Sequence, residues 1–121
     1  MLNDIDYLFF RLSKSNFRSR FKLSKKDISY IDLKGLEKIR EHAYSFVCER
    51  LKPACIINDG KQTPFKGHPV FVSMHACACC CRSCLEKWHS IEKGKELTNS
   101  EKNYIYSLLI KWIEKEYKGG I

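Results

Sequence analysis

No apolar run in this sequence approaches the roughly 20 residues of a membrane span. The opening stretch, MLNDIDYLFFRLSKS, lacks the basic start, unbroken apolar segment and small-residue cleavage site of a secretory signal. A cytoplasmic protein without a membrane anchor is therefore expected. Internal repeats and low-complexity segments are missing as well, which excludes solenoid architecture and leaves no tract that must be disordered. Acids are absent between Asp6 and Asp27, while Arg11, Lys14, Arg18, Arg20, Lys22, Lys25 and Lys26 all fall in that stretch. The seven cysteines cannot close into a full set of disulfides, because the number is odd. In a reducing compartment such a density of thiols points to metal binding or thiol chemistry.

What is present is enough for one folded unit. The 121 residues fit a single domain, 1–121, and the 44% of hydrophobic residues is sufficient to fill a core. The net charge of +8 is concentrated near the N-terminus. A basic segment of that kind suits the phosphates of nucleic acid or nucleotides, through screened attraction and counterion release. The same charges also suit a solvated helix face.

Apolar spacing predicts a mainly α fold, a small helical bundle with a long central loop and a Cys/His metal-site turn. Leu8, Phe9 and Leu12 recur at helical spacing after a capping Asp4. Ser24 and Asp27 form a capping-box pattern ahead of Ile28 and Ile31, and Gly35 is a stop. Leu36, Ile39, Ala43, Phe46, Val47 and Leu51 make one stripe that ends at Pro53. From Pro53 to Pro69 turn residues recur too often for regular structure, and the polar cluster Asn58, Asp59, Lys61, Gln62 and Thr63 can line a site. Val70 to Met74 reads as a helix with Pro69 at its first position, in preference to a strand. A helix is expected from Cys84 to Ile91, turning on Leu85 and Trp88, with Gly94 beyond it. Thr98 and Glu101 then cap a last helix bearing Ile105, Leu108, Leu109, Trp112 and Ile113 on one face.

The segment HACACCCRSCLEKWH gathers His75, Cys77, Cys79, Cys80, Cys81, Cys84 and His89. Cys81 and Cys84 have the two-residue gap that lets two thiolates approach one ion from a turn entering a helix, where amide N–H groups stabilise their charge. His89, five positions beyond Cys84, reaches the same ion only if the helix starts late or bends. The favoured ligands are Cys80, Cys81 and Cys84 with one histidine, His75, His89 or His68, and zinc as the ion. The adjacency of Cys80 and Cys81 keeps an iron–sulfur cluster open, since neighbours in an extended chain point to opposite faces. A dithiol redox pair lacks the βαβ setting in which it usually occurs, and small buried core cysteines are the remaining alternative.

Other residues carry weaker expectations. Asp59, His68 and His89 are candidates for a general acid or base if the site is an open, metal-dependent phosphodiester or nucleotide enzyme. Arg18, Arg20 and Arg82 would then meet phosphate. His42, Trp88 and Trp112 read as packing residues of helices.

FRSRF at Phe17–Phe21, NDGKQTPFKGHPVF at Asn58–Phe71, the CCRSCLEKWH block and the YIYSLLIKWI tail together resemble domain of unknown function (DUF) family 4186 along nearly the whole chain. That family carries HATATCCRxCLxKWH where this chain has HACACCCRSCLEKWH. The resemblance thus implies that Cys77 and Cys79, which stand where threonine is usual, are not essential ligands. It keeps His68, His75, Cys80, Cys81, Cys84 and His89, and implies no reaction.

Overall fold

A computed structural model describes residues 4–119. Among the described residues the chain is all helical, as the apolar spacing predicts. The helices are α1 (Asp4–Ser13), α2 (Lys25–Lys34), α3 (Leu36–Arg50), α4 (Pro69–Ala76), α5 (Arg82–His89) and α6 (Asn99–Gly119), with a short 3-10 turn at Arg18–Arg20. None of these helices is long and apolar enough to cross a membrane.

Apart from Asp4, expected as a cap but the first residue of α1 itself, the boundaries follow the expected chemistry with one adjustment. Ser24 Oγ accepts from the Asp27 amide at 3.1 Å and the Asp27 carboxylate accepts from the Ser24 amide at 3.0 Å, closing the capping box of α2. Gly35, at φ 85°, separates α2 from α3 in a conformation that costs a glycine little. Thr98 and Glu101 exchange the same reciprocal pair of bonds ahead of α6. Pro69 occupies the start of α4, and the His68 side chain caps it. The adjustment is α5, which begins at Arg82 rather than Cys84 because Cys81 serves as its N-cap. It stops at Ser90, which adopts a left-handed conformation (φ 58°), well before Gly94.

The apolar stripes converge on one core. Ile39, Ala43 and Val47 of α3 and Ile105, Leu108, Leu109 and Ile113 of α6 are fully buried, joined by Leu8 and Leu12 of α1 and Ile31 of α2. Each of these Val, Leu and Ile side chains contributes about 1.5–3 kcal/mol of transfer free energy. At the centre lies α4, of which every residue but Phe71 is buried and which touches α2, α3, α6 and the Arg18–Arg20 turn. A helix apolar on all sides is stable only with neighbours all round, which explains the unbroken text PVFVSM. Trp88 and Trp112 pack half-buried against this core, as helix-packing residues should. The C-terminus of α4 thus projects from the middle of the bundle, and the cysteine segment begins there.

Candidate metal centre

The chain leaves α4 through a tight reversal. The Cys79 amide donates to the Met74 carbonyl at 2.7 Å and the Ala78 amide to that of His75 at 3.3 Å, with Ala78 left-handed at φ 59°. This is the usual helix-ending bond pair, with alanine where glycine is common. Three residues later α5 starts, and Cys81 Sγ accepts from the Cys84 amide at 3.4 Å. Cys81 is therefore a helix cap and not part of a strand, so strand alternation does not separate it from Cys80.

The sulfurs of Cys80, Cys81 and Cys84 all lie within 4.8 Å of one another, and those of Cys80 and Cys84 are 3.5 Å apart. Thiolates about 2.3 Å from a tetrahedral zinc stand roughly 3.8 Å from each other. The spacing thus fits one ion, and among the described residues no other Cys, His, Asp or Glu joins this group.

Arg18 reaches this group from the short turn before α2. It is buried, and its guanidinium donates to Cys84 Sγ at 3.0 Å, Cys80 Sγ at 3.5 Å and the His75 carbonyl at 2.8 Å. Three thiolates around a divalent ion carry one net negative charge, and one arginine balances it. Burial pulls the Arg18 pKa down, but the bonds and charges of Cys80 and Cys84 outweigh it and leave it raised. Cys84 is held well below the usual thiol range, because Cys80, Cys81 and Arg18 all donate to it. Cys80 is pushed up by its bonds to Cys81 and Cys84 and by burial, so Cys84 takes the first negative charge of the group.

The long loop from Leu51 to His68 wraps the site. Asp59 accepts from the Arg82 amide at 2.8 Å, the Ser83 amide at 3.0 Å and the Ser83 hydroxyl at 2.7 Å, placing a carboxylate at the positive end of α5. Burial alone would raise its pKa, but Gln62, Ser83 and the two amides outweigh that and leave it lowered. Thr63 donates its hydroxyl to the Cys80 carbonyl at 2.8 Å. Arg82, 3% exposed, donates to the carbonyls of Leu51, Pro53, Glu92 and Lys95, tying both loops that flank the site to the start of α5.

The histidines divide by what their nitrogens already hold. His89 Nε2 donates to the Cys77 carbonyl at 2.9 Å, so Nδ1 accepts the Tyr104 hydroxyl at 2.8 Å. His68 Nδ1 accepts from the Val70 amide at 3.0 Å, so Nε2 donates to His42 Nδ1 at 2.9 Å. His75 Nε2 donates to the Thr63 carbonyl at 3.0 Å, while its buried Nδ1 has no partner. The ring packs near-parallel to Phe21 and Phe65, with centroids 5.2 and 4.5 Å away.

Of the residues singled out from sequence, Cys80, Cys81 and Cys84 come together, and His75 adjoins them through its carbonyl on Arg18. His89 and His68 are engaged elsewhere. Cys77 and Cys79 are completely buried, and burial pushes the Cys77 thiol up to about 12. The three acid–base candidates, Asp59, His68 and His89, share no hydrogen-bond partner. Of the three arginines expected at phosphate, Arg18 and Arg82 are spent on interior partners, and Arg20 is on the surface. Sequence reasoning missed the Arg18–thiol contact, the carbonyl cage of Arg82 and the pairing of His42 with His68. An arginine inside a buried CCRSC turn was the one available signal, since such a charge must find acceptors.

No solved structure matches this chain. The model of the family described as a domain of unknown function, DUF4186, matches residues 6–114, a span that takes in Arg18, the clamping loop and every cysteine of the site, and the chain belongs to that family.

Proposed function

We propose that this protein is a metal-binding helical module in which Cys80, Cys81 and Cys84 hold one zinc ion as thiolates. The observation that carries the reading is the convergence of three sulfurs within 4.8 Å of one another at the start of a helix, with the Arg18 cation against two of them. Of the three candidate histidines His75 is the one with a ring nitrogen to spare, but that nitrogen stands outside the group of sulfurs, so His75 completes the site only if its side chain shifts when the ion binds. A bound zinc supplies folding free energy and ties the end of α4 to the start of α5. Thr63, Asp59 and Arg82 fix the backbone on which the ligands sit.

Freshly purified protein should contain about one zinc per chain and be colourless. Cys80→Ser, Cys81→Ser or Cys84→Ser should remove the metal, and His75→Ala should weaken its retention against a chelator. Absence of any metal, together with unchanged helicity after chelation, overturns the reading. A brown anaerobic preparation with visible absorption replaces zinc by an iron–sulfur cluster.

The surface supports a second reading, binding of nucleotide or nucleic-acid phosphates. Arg20, Lys22, Lys26 and Lys66 line one cleft although they come from three separate segments.

A further inference from the structure

That cleft, about 600 Å³ in volume, lies between the chain preceding α2, α2 itself and the loop before α4. Its size is within the range of small-ligand sites. Arg20, Lys22, Lys26 and Lys66 on its walls are all exposed. The one acid that lines it, Asp27, is buried and directed to the Ser24 amide, so the accessible charge is cationic.

Two phenylalanines share the cleft with these cations. Phe65 and Phe21 lie nearly parallel, 10° between planes and 6.3 Å between centroids, and both rest against the buried ring of His75. Phe65 is 62% exposed although it is a large apolar ring. An aromatic face held rigid from beneath and open to solvent among lysines is poorly explained by packing. It suits a flat, electron-rich ring joined to a phosphate.

We infer that the cleft binds single-stranded nucleic acid, stacking a base on Phe65 beside Phe21 and holding the adjoining phosphates with Arg20, Lys22, Lys26 and Lys66. The inference rests on the phosphate reading above and adds to it the base and the single strand. A duplex keeps its bases stacked on one another and offers none to an outside ring. Backbone cations alone give sequence-independent affinity that favours the more densely charged duplex over a single strand. Stacking tolerates any sequence, so no motif preference is expected.

The test uses the metal-replete full chain and three fluorescent probes of equal length, about 15 nucleotides. The probes are an oligothymidine, its abasic counterpart and a duplex, titrated at low and moderate salt. Oligothymidine should bind about tenfold more tightly than the abasic strand and more tightly than the duplex. Phe65→Ala should erase that preference while Phe65→Trp keeps it. Because Phe65 is exposed, the alanine variant should keep its helicity, which circular dichroism checks. Arg20→Glu with Lys66→Glu should abolish binding and flatten the salt dependence. Lys87→Ala with Lys111→Ala, exposed residues outside the cleft, should leave binding nearly unchanged. Equal affinity for the abasic strand, or for the duplex, overturns the base-stacking inference and leaves phosphate binding standing. Failure to bind any of the three at low salt overturns both.

Discussion

Where α3 meets α6, Ile39, Ala43 and Val47 share one core with Ile105, Leu108, Leu109 and Ile113, all completely buried and none dependent on a hydrogen bond between side chains. In the loop that follows α3 and at the start of α5 the links are of another kind. Asp59 takes the amides of α5, Thr63 holds the Cys80 carbonyl, and Arg82 donates to four carbonyls. Apolar burial is non-directional and tolerates a change of shape that preserves volume. Hydrogen-bonded burial does not, because removing one donor leaves desolvated acceptors behind. The molecule therefore has a forgiving half and an exacting half, and the candidate metal centre is in the exacting one.

The sharpest break in that comparison is at Arg82. Arg82→Ala should cost more than about 3 kcal/mol, since four carbonyls lose a donor at once. Arg82→Lys should recover less than half of this, because a single ammonium cannot span the positions a planar guanidinium serves. On the other side, Leu108→Met, also at a fully buried position, should cost less than about 1.5 kcal/mol. Urea denaturation of the three variants checks the order. Similar losses for Arg82→Lys and Leu108→Met would remove the distinction.

The same contrast explains what was legible in the sequence. Helices α2, α3 and α6 show themselves through periodicity and caps, because an apolar stripe and a Ser or Thr cap act within a few residues. The Cys80, Cys81 and Cys84 set was legible too, since its spacing is local. Arg18 was not, because its partners lie 57 to 66 positions along the chain. Neither was the use made of Asp59, whose carboxylate meets α5 amides 23 and 24 residues away. Polar residues in a loop signal that bonds will be made, but the partners are chosen by the fold.

The pairing of His68, at the end of the loop, with His42 of α3 adds a pH dependence where the two halves meet. Burial, and then the neighbouring His42, lower the His68 pKa from 6.5 to about 4. An unfolded chain takes up this proton below about pH 6.5 and the folded chain only below about pH 4. Stability is therefore fully present above pH 6.5 and is lost as pH falls from 6.5 to 4. His68 is partly exposed, and allowing for solvent screening its share is about 1–2 kcal/mol. His68→Asn retains a side-chain acceptor for the Val70 amide and removes the titration. Between pH 7 and pH 4.5 the variant should lose less stability than the parent protein by about 1 kcal/mol. An identical pH profile would show that His68 pays no penalty for being neutral.

The smallest expected effect lies at the far edge of the site and has the opposite sign. Ser90 ends α5 at φ 58° and ψ 32°, a left-handed conformation in which an L side chain meets its own backbone. It is exposed, and its amide donates to the Leu85 carbonyl, so the conformation is held by the helix end and not by the serine side chain. Glycine should relieve about 1 kcal/mol of that strain and return part of it through the larger entropy of its unfolded chain. Ser90→Gly is thus expected to stabilise the protein by about 0.5 kcal/mol. The neighbouring left-handed residue, Ala78, is fully buried in the core, where removing a methyl group also opens space. Ala78→Gly should therefore gain less than Ser90→Gly, although both positions relieve the same backbone strain. A larger gain at Ala78 would mean that the α4 reversal is strained beyond its dihedral angles, and that the turn leading into the three cysteines is held under load by its neighbours.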